Sequence, residues 1–240
     1  MATKFNIKNR LYILTKMIRY NLKIIFANRF IWFLIAALAV FLFFSVQVVI
    51  DRNTLSEGTV YGLLIFPGIL LIFYPSVFGI QNDDDSSMLE ILFGIPNYRY
   101  KVWLVRLVMI YVLIFLIIML FAAIGSILLY KVDVLEMAYQ LMYPIVFLGS
   151  MAFMFSTLIK NGNGTAVAMV LIGVALLILR EDLLERTQWD IFLNPFEIPN
   201  NLNEVIWQGT IQKNRIFLGI GMIVFILYGL FNLQKREKFV

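Results

Sequence analysis

FIWFLIAALAVFLFFSVQVVI, from Phe30 to Ile50, contains no charged residue. It is as long as a helix rising ~1.5 Å per residue must be to cross a hydrocarbon layer of ~30 Å. Comparable runs recur at Thr59 to Ile80, Val102 to Tyr130, Val134 to Ile159, Thr165 to Leu179 and Ile216 to Leu233. Over the 240 residues 61% are hydrophobic and the mean hydropathy is +0.86, against roughly 45–50% apolar residues in soluble domains. The sequence therefore predicts an all-α, polytopic membrane protein with six transmembrane helices in one domain, 30–240. The third run is longer than a bilayer needs, so it tilts or begins in the interface. The fifth is the shortest, and without it the two chain ends would fall on opposite sides.

The charges give an orientation. Residues 1–29 hold Lys4, Lys8, Arg10, Lys16, Arg19, Lys23 and Arg29 and no acid. On the six-span topology, fourteen of the 20 Lys and Arg lie on the side of the two termini. By the positive-inside rule that side is the cytoplasm, and the expected location is the inner (cytoplasmic) membrane. Within 1–29, Leu11, Leu14, Ile18, Leu22 and Ile25 step by three and four, and Lys16, Arg19 and Lys23 keep the same steps on another face. This predicts an amphipathic interfacial helix anchored by its bases to lipid phosphates. A cleaved signal peptide does not fit, because no small-residue cleavage site follows and the run after Arg29 is too long. The +5 net charge is thus spent on the membrane surface rather than on nucleic acid.

The chain has no Cys and no His, which removes thiol and imidazole catalysis and most transition-metal ligation. No catalytic set and no metal site is expected. No carboxylate or base stands deep in the predicted spans, where one would mark a proton or ion path. The polar side chains there are few, among them Tyr61, Tyr74, Gln140 and Tyr143, which are the candidates for a substrate pathway of weakly polar character. The segment 180–213 between the last two spans is rich in apolar and aromatic residues. It predicts short re-entrant or interfacial helices with Trp189 and Trp207 at headgroup depth. Pro67, Pro75 and Pro144 predict kinks in the second and fourth spans, and Asn163-Gly164-Thr165 a tight turn.

One polar island interrupts the pattern, DDDSSMLEILFGIPNYRYKVWLVR from Asp83 to Arg106. Its acids and bases alone could cap a short helix and hold the next span to lipid phosphates, Arg106 among them. Its apolar residues Met88, Leu89, Ile91, Leu92 and Phe93 predict in addition an amphipathic helix across the inner face.

The order Asp83-Asp84-Asp85, Ser87, Leu89-Glu90, Leu92-Phe93, Pro96, Arg99 and Arg106 resembles the cytoplasmic loop of type-2 ATP-binding-cassette exporter permeases. That family usually has Gly-Thr where Ser87-Met88 stand, and Glu and Arg where the three aspartates stand. Asn194-Pro195-Phe196 likewise resembles a proline-aromatic element between the last two spans of that family. The resemblance implies that 83–96 is a coupling helix seated in a groove of a separate cytoplasmic ATPase, with Asp83, Asp84, Asp85, Ser87, Leu89, Glu90, Leu92, Phe93, Pro96 and Arg99 making the contact. It also implies two ATPase copies and a second permease, identical or related. No G-x-x-x-x-G-K-[ST] occurs in the chain, so ATP and Mg belong to the partner, with no cofactor on this chain. On this reading the chain is a transport subunit and not itself an enzyme. The other classes are a membrane enzyme acting on lipids and a non-transporting anchor for a cytosolic partner. The substrate stays open.

Overall fold

The computed structural model describes residues 30–50, 55–85, 99–180, 187–199 and 202–233, and every structural statement below concerns these. Of them 85% are helical and none is in a strand. The helices are α1 Phe30–Ile50, α2 Glu57–Asp85, α3 Val105–Leu128, α4 Val134–Ile159, α5 Gly162–Leu179 and α6 Glu204–Asn232, and a π-helical turn, Arg99–Leu104, leads into α3. All six α-helices are long and apolar enough to cross a membrane. Lipid offers the backbone no hydrogen-bond partner, so a crossing segment must satisfy its peptide groups internally, as a helix does.

α1 is helical throughout its predicted span, and α4 has the boundaries that its sequence pattern predicts. At α4 the reason is local, because Asp133 accepts from Leu135 N at 2.9 Å and Glu136 N at 3.0 Å and so caps the helix. Its other end stops at Lys160, whose φ of 62° is left-handed and ends the hydrogen-bond ladder. Asn161 then accepts from Gly164 N at 3.0 Å and starts α5. Asn163-Gly164-Thr165 therefore lies in the first turn of α5, and the tight turn falls just before it.

α6 departs from expectation. It begins at Glu204 rather than near Ile216, with Asn203 as its cap accepting from Val205 N at 3.3 Å. The stretch 204–215 is too polar for an apolar-run criterion, yet Trp207 and Ile211 lie one turn apart on its buried face and pack with Leu193 and Leu202. Trp207 is thus enclosed by protein, whereas Trp189 is half exposed. Before α6, Thr187–Pro199 is a run of turns rather than short helices. The expected interfacial helix with Lys16, Arg19 and Lys23 falls outside the described residues. α2 and α4 continue as helices through Pro67, Pro75 and Pro144.

α4 is the hub. It packs on α2, α3, α5 and α6, and α1 packs on α2. The most apolar stretch of α4 is 67% buried and that of α2 56%, but α1 and α5 reach only 17% each, which leaves the last two helices facing lipid. Between helices in hydrocarbon no water is released, so contact and polar bonds hold the bundle. Tyr111 and Ser150 join α3 to α4 at 3.0 Å, Ser156 donates to Val77 O of α2 at 3.0 Å, and Asn232 Nδ2 donates to Thr157 O at 2.9 Å. Such bonds average about 0.6 kcal/mol each. Close contact supplies the rest. At Gly149 of α4 a Cβ would run into Ile72 Cγ1 of α2, and the β-branched Ile72 has little rotamer freedom to give way.

Gly149→Val is therefore expected to lower stability by about 1–3 kcal/mol through overpacking, seen as a lower thermal midpoint in detergent. Gly219→Val, where a new Cβ meets nothing within 4 Å, serves as the control and should leave the midpoint unchanged.

Candidate functional site

Two features concentrate polar groups where the bundle meets the 187–199 loop. The first is a cavity of about 710 Å³ between α2 and α5. On α2 the wall comes from Gly58, Tyr61, Gly62, Ile65, Phe66 and Ile69, which step by three and four along one face. Met169, Val170, Gly173, Val174 and Leu177 of α5 repeat that step opposite, and Leu148, Gly149 and Ala152 of α4 form the floor. From Gly58 to Phe73, which both line it, the helix rises about 22 Å. The body of the cavity is apolar, and Arg180, Asn194 and Glu197 stand at the loop end beside Tyr61.

The loop is fixed in place from both sides. Asn194 Nδ2 donates to Gly58 O at 3.0 Å and to Glu197 Oε2 at 3.3 Å, and Asn194 Oδ1 accepts from Phe196 N at 3.2 Å. The Asn194-Pro195-Phe196 element thus ties the loop to the start of α2. On the other side Asn214 of α6 donates to Gln188 O at 3.0 Å and Asp190 O at 2.8 Å. Asp190, buried, accepts from Phe192 N at 2.9 Å and pairs with Arg180 Nε at 3.1 Å.

The second feature is Arg215, on α6 and 8% exposed. Neutral groups hold it: Gln140 Oε1 accepts from Nε at 3.0 Å, Asn214 Oδ1 from Nη1 at 3.0 Å, and the Tyr143 ring lies 5.0 Å from Cζ. Tyr143 in turn shares a short hydroxyl contact with Tyr139. Nη2 of Arg215 and the hydroxyl of Tyr61 are buried with no hydrogen-bond partner. The Tyr61 hydroxyl lies within reach of the charges on Arg215, Asp190 and Arg180, without hydrogen-bond geometry to Arg215.

Of the four expected pathway residues, the structure brings three into this region. Tyr61 lines the cavity, and Gln140 and Tyr143 surround Arg215. Tyr74 does not join them; it packs between Phe33 and Phe78. Arg215 itself was not expected, because the apolar run starts one residue after it and the preceding residues read as loop. A cap residue at Asn203 followed by Glu204 was the available signal. The cavity lining holds polar groups only at one end, with no acid and nucleophile paired across it, so the arrangement is suited to holding an amphipathic molecule.

At the opposite end of the bundle, the expected coupling residues are only partly described. Asp83, Asp84 and Asp85 continue the backbone of α2 instead of opening a new helix. Arg99 lies in the π-helical turn. Ser87, Leu89, Glu90, Leu92, Phe93 and Pro96 lie outside the described residues. Arg106, expected as a lipid anchor, is 7% exposed, with its guanidinium 5.1 Å from the centre of the Trp103 ring. Comparison with family models, with curated proteins and with solved structures finds no match for this chain.

Removing an acceptor from Arg215 tests the second feature. Gln140→Leu should cost about 1–3 kcal/mol, because it leaves a buried charge short of a partner. Adding Arg215→Met, which removes that charge, should recover part of the loss, and thermal unfolding of the single and double variants in detergent measures both.

Proposed function

We propose that the chain is the membrane-spanning permease subunit of an ATP-binding-cassette exporter, in the cytoplasmic membrane with both termini inside. The segment between α2 and α3 then docks on a separate ATPase, present in two copies beside a second permease, which brings ATP and Mg. The observation that carries the reading is how both flanks of that segment are built. α2 runs without a break to Asp85, and the turn Arg99–Leu104 passes directly into α3. Trp103 of that turn and Leu107 pack with Ile80 of α2, Phe153 of α4, and Leu230 and Leu233 at the end of α6.

A displacement of the docked segment therefore meets rigid helix on each side and one buried cluster that joins four helices. Such packing transmits a push as rigid-body motion instead of absorbing it in a loop. The π-helical geometry of the turn also fits, since π-helical turns recur at functional positions. The apolar cavity suits cargo that is apolar or amphipathic, and it lies along α2, one of the helices the segment would move.

Glu90→Lys is the test. With the ATPase co-purified and the complex in vesicles, the variant should insert and fold normally and should lose coupling, so that ATP hydrolysis persists while transport falls at least tenfold. Normal transport by this variant, or failure of any nucleotide-binding subunit to co-purify in mild detergent, sinks the reading.

A further inference from the structure

The cavity between α2 and α5 has an apolar body, polar groups at one end, and side walls that are exposed. Phe66 of α2 is 56% exposed, Val170 55% and Val174 50%. In a bilayer such walls face acyl chains, so the cavity opens sideways to lipid. Two opposed glycines keep it open. At Gly62 on α2 and Gly173 on α5 an added Cβ would meet nothing within 4 Å, whereas Gly149 on the floor is closed by Ile72. Neither opening is needed for helix packing, and each would be filled by an ordinary side chain.

Among the described residues, the polar end carries Arg180, paired with the buried Asp190, and Glu197, with Arg215 close to Tyr61 behind them. Arg180 is engaged through Nε with Asp190, which leaves the rest of its five-donor fork for an anion. Glu197 is exposed and accepts from Asn194 through Oε2. Tyr61, 1% exposed, brings a hydroxyl that lies near Arg215 but makes no hydrogen bond of good geometry, and a buried hydroxyl left so costs stability unless something else satisfies it. The charges of the described residues around this end balance, Arg180 and Arg215 against Asp190 and Glu197, so a head that carries both signs matches them better than a singly charged one.

We propose that this cavity holds a phospholipid with a zwitterionic, amine-bearing head, taken sideways from the surrounding bilayer. Its phosphate lies at Arg180 and Tyr61, its ammonium at Glu197, and an acyl chain runs along Ile65, Ile69 and Gly173. The inference rests on the membrane-spanning fold and not on coupling to an ATPase.

The test is native mass spectrometry of the full chain in detergent, titrated separately with phosphatidylethanolamine and phosphatidylglycerol of the same acyl chains. Phosphatidylethanolamine should bind at least tenfold more tightly. Glu197→Gln should remove that preference, and Gly173→Phe, which fills the cavity, should abolish binding of phosphatidylethanolamine. Gly219→Phe, at an open position outside the lining, should leave binding unchanged, and its thermal midpoint and that of Gly173→Phe show that both fold. Equal binding of the two lipids, or binding undiminished in a folded Gly173→Phe, overturns the proposal. The measurement needs no ATPase, so either outcome leaves the coupling reading standing or falling on its own test.

Discussion

In hydrocarbon, one helix is held to the next by contact and little else, so the closeness of α2 to α4 governs the rest of the bundle. Gly149 lets Ile72 lie against the α4 backbone, and the Ser156 bond to Val77 O secures the same pair a turn further along. With that pair fixed, α3 and α6 find their seats on the remaining faces of α4, and α1 adds to α2. α5 is held mainly at its start, where Gly162 N donates to Gln81 Oε1 of α2 at 2.6 Å. Toward the 187–199 loop α5 is free to stand off from α2, and the cavity is the space this leaves.

The loop end differs in kind from the opposite end. There the polar contacts run between α6, the 187–199 turns and the start of α2, and a cation, Arg215, is enclosed among neutral acceptors. Enclosing a charge is costly unless its donors are met; Gln140 and Asn214 each take one donor of Arg215 and the Tyr143 ring lies over its guanidinium, while Nη2 makes no hydrogen bond. At the opposite end the buried cluster is aromatic and aliphatic, with Arg106 folded over Trp103. One end thus provides a polar rim for a greasy cavity. The other provides a stiff junction between the island and the helices.

How far the chain could be read beforehand follows from what kind of signal each part leaves. α1 and α4 are uniform apolar runs, so their helices are in the sequence, and for α4 the limit is too, because Asp133 is an explicit cap. α6 hides its first turns because Gln208, Gln212, Lys213 and Asn214 read as loop by hydropathy, although a helix tolerates them once Trp207 and Ile211 have a loop to pack on. The same masking concealed Arg215. Tyr61, Gln140 and Tyr143 could be named as polar residues in spans, but their grouping around one arginine joins three helices. The stacking of Arg106 on Trp103 was likewise not legible, since it depends on the π-helical turn that precedes α3.

The sequence by itself determined the membrane class, the six helices and their order, because these follow from run length and from the backbone's need to satisfy itself in lipid. It also set out the island and its resemblance to a coupling loop, which depend on spacing along the chain. Only the tertiary structure decided that α5 stands away from α2, that the loop closes one end of the gap, and that Tyr61, Arg180 and Glu197 share its mouth. Those are distances between segments far apart in the chain, and they depend on where glycines permit helices to touch and where they leave room.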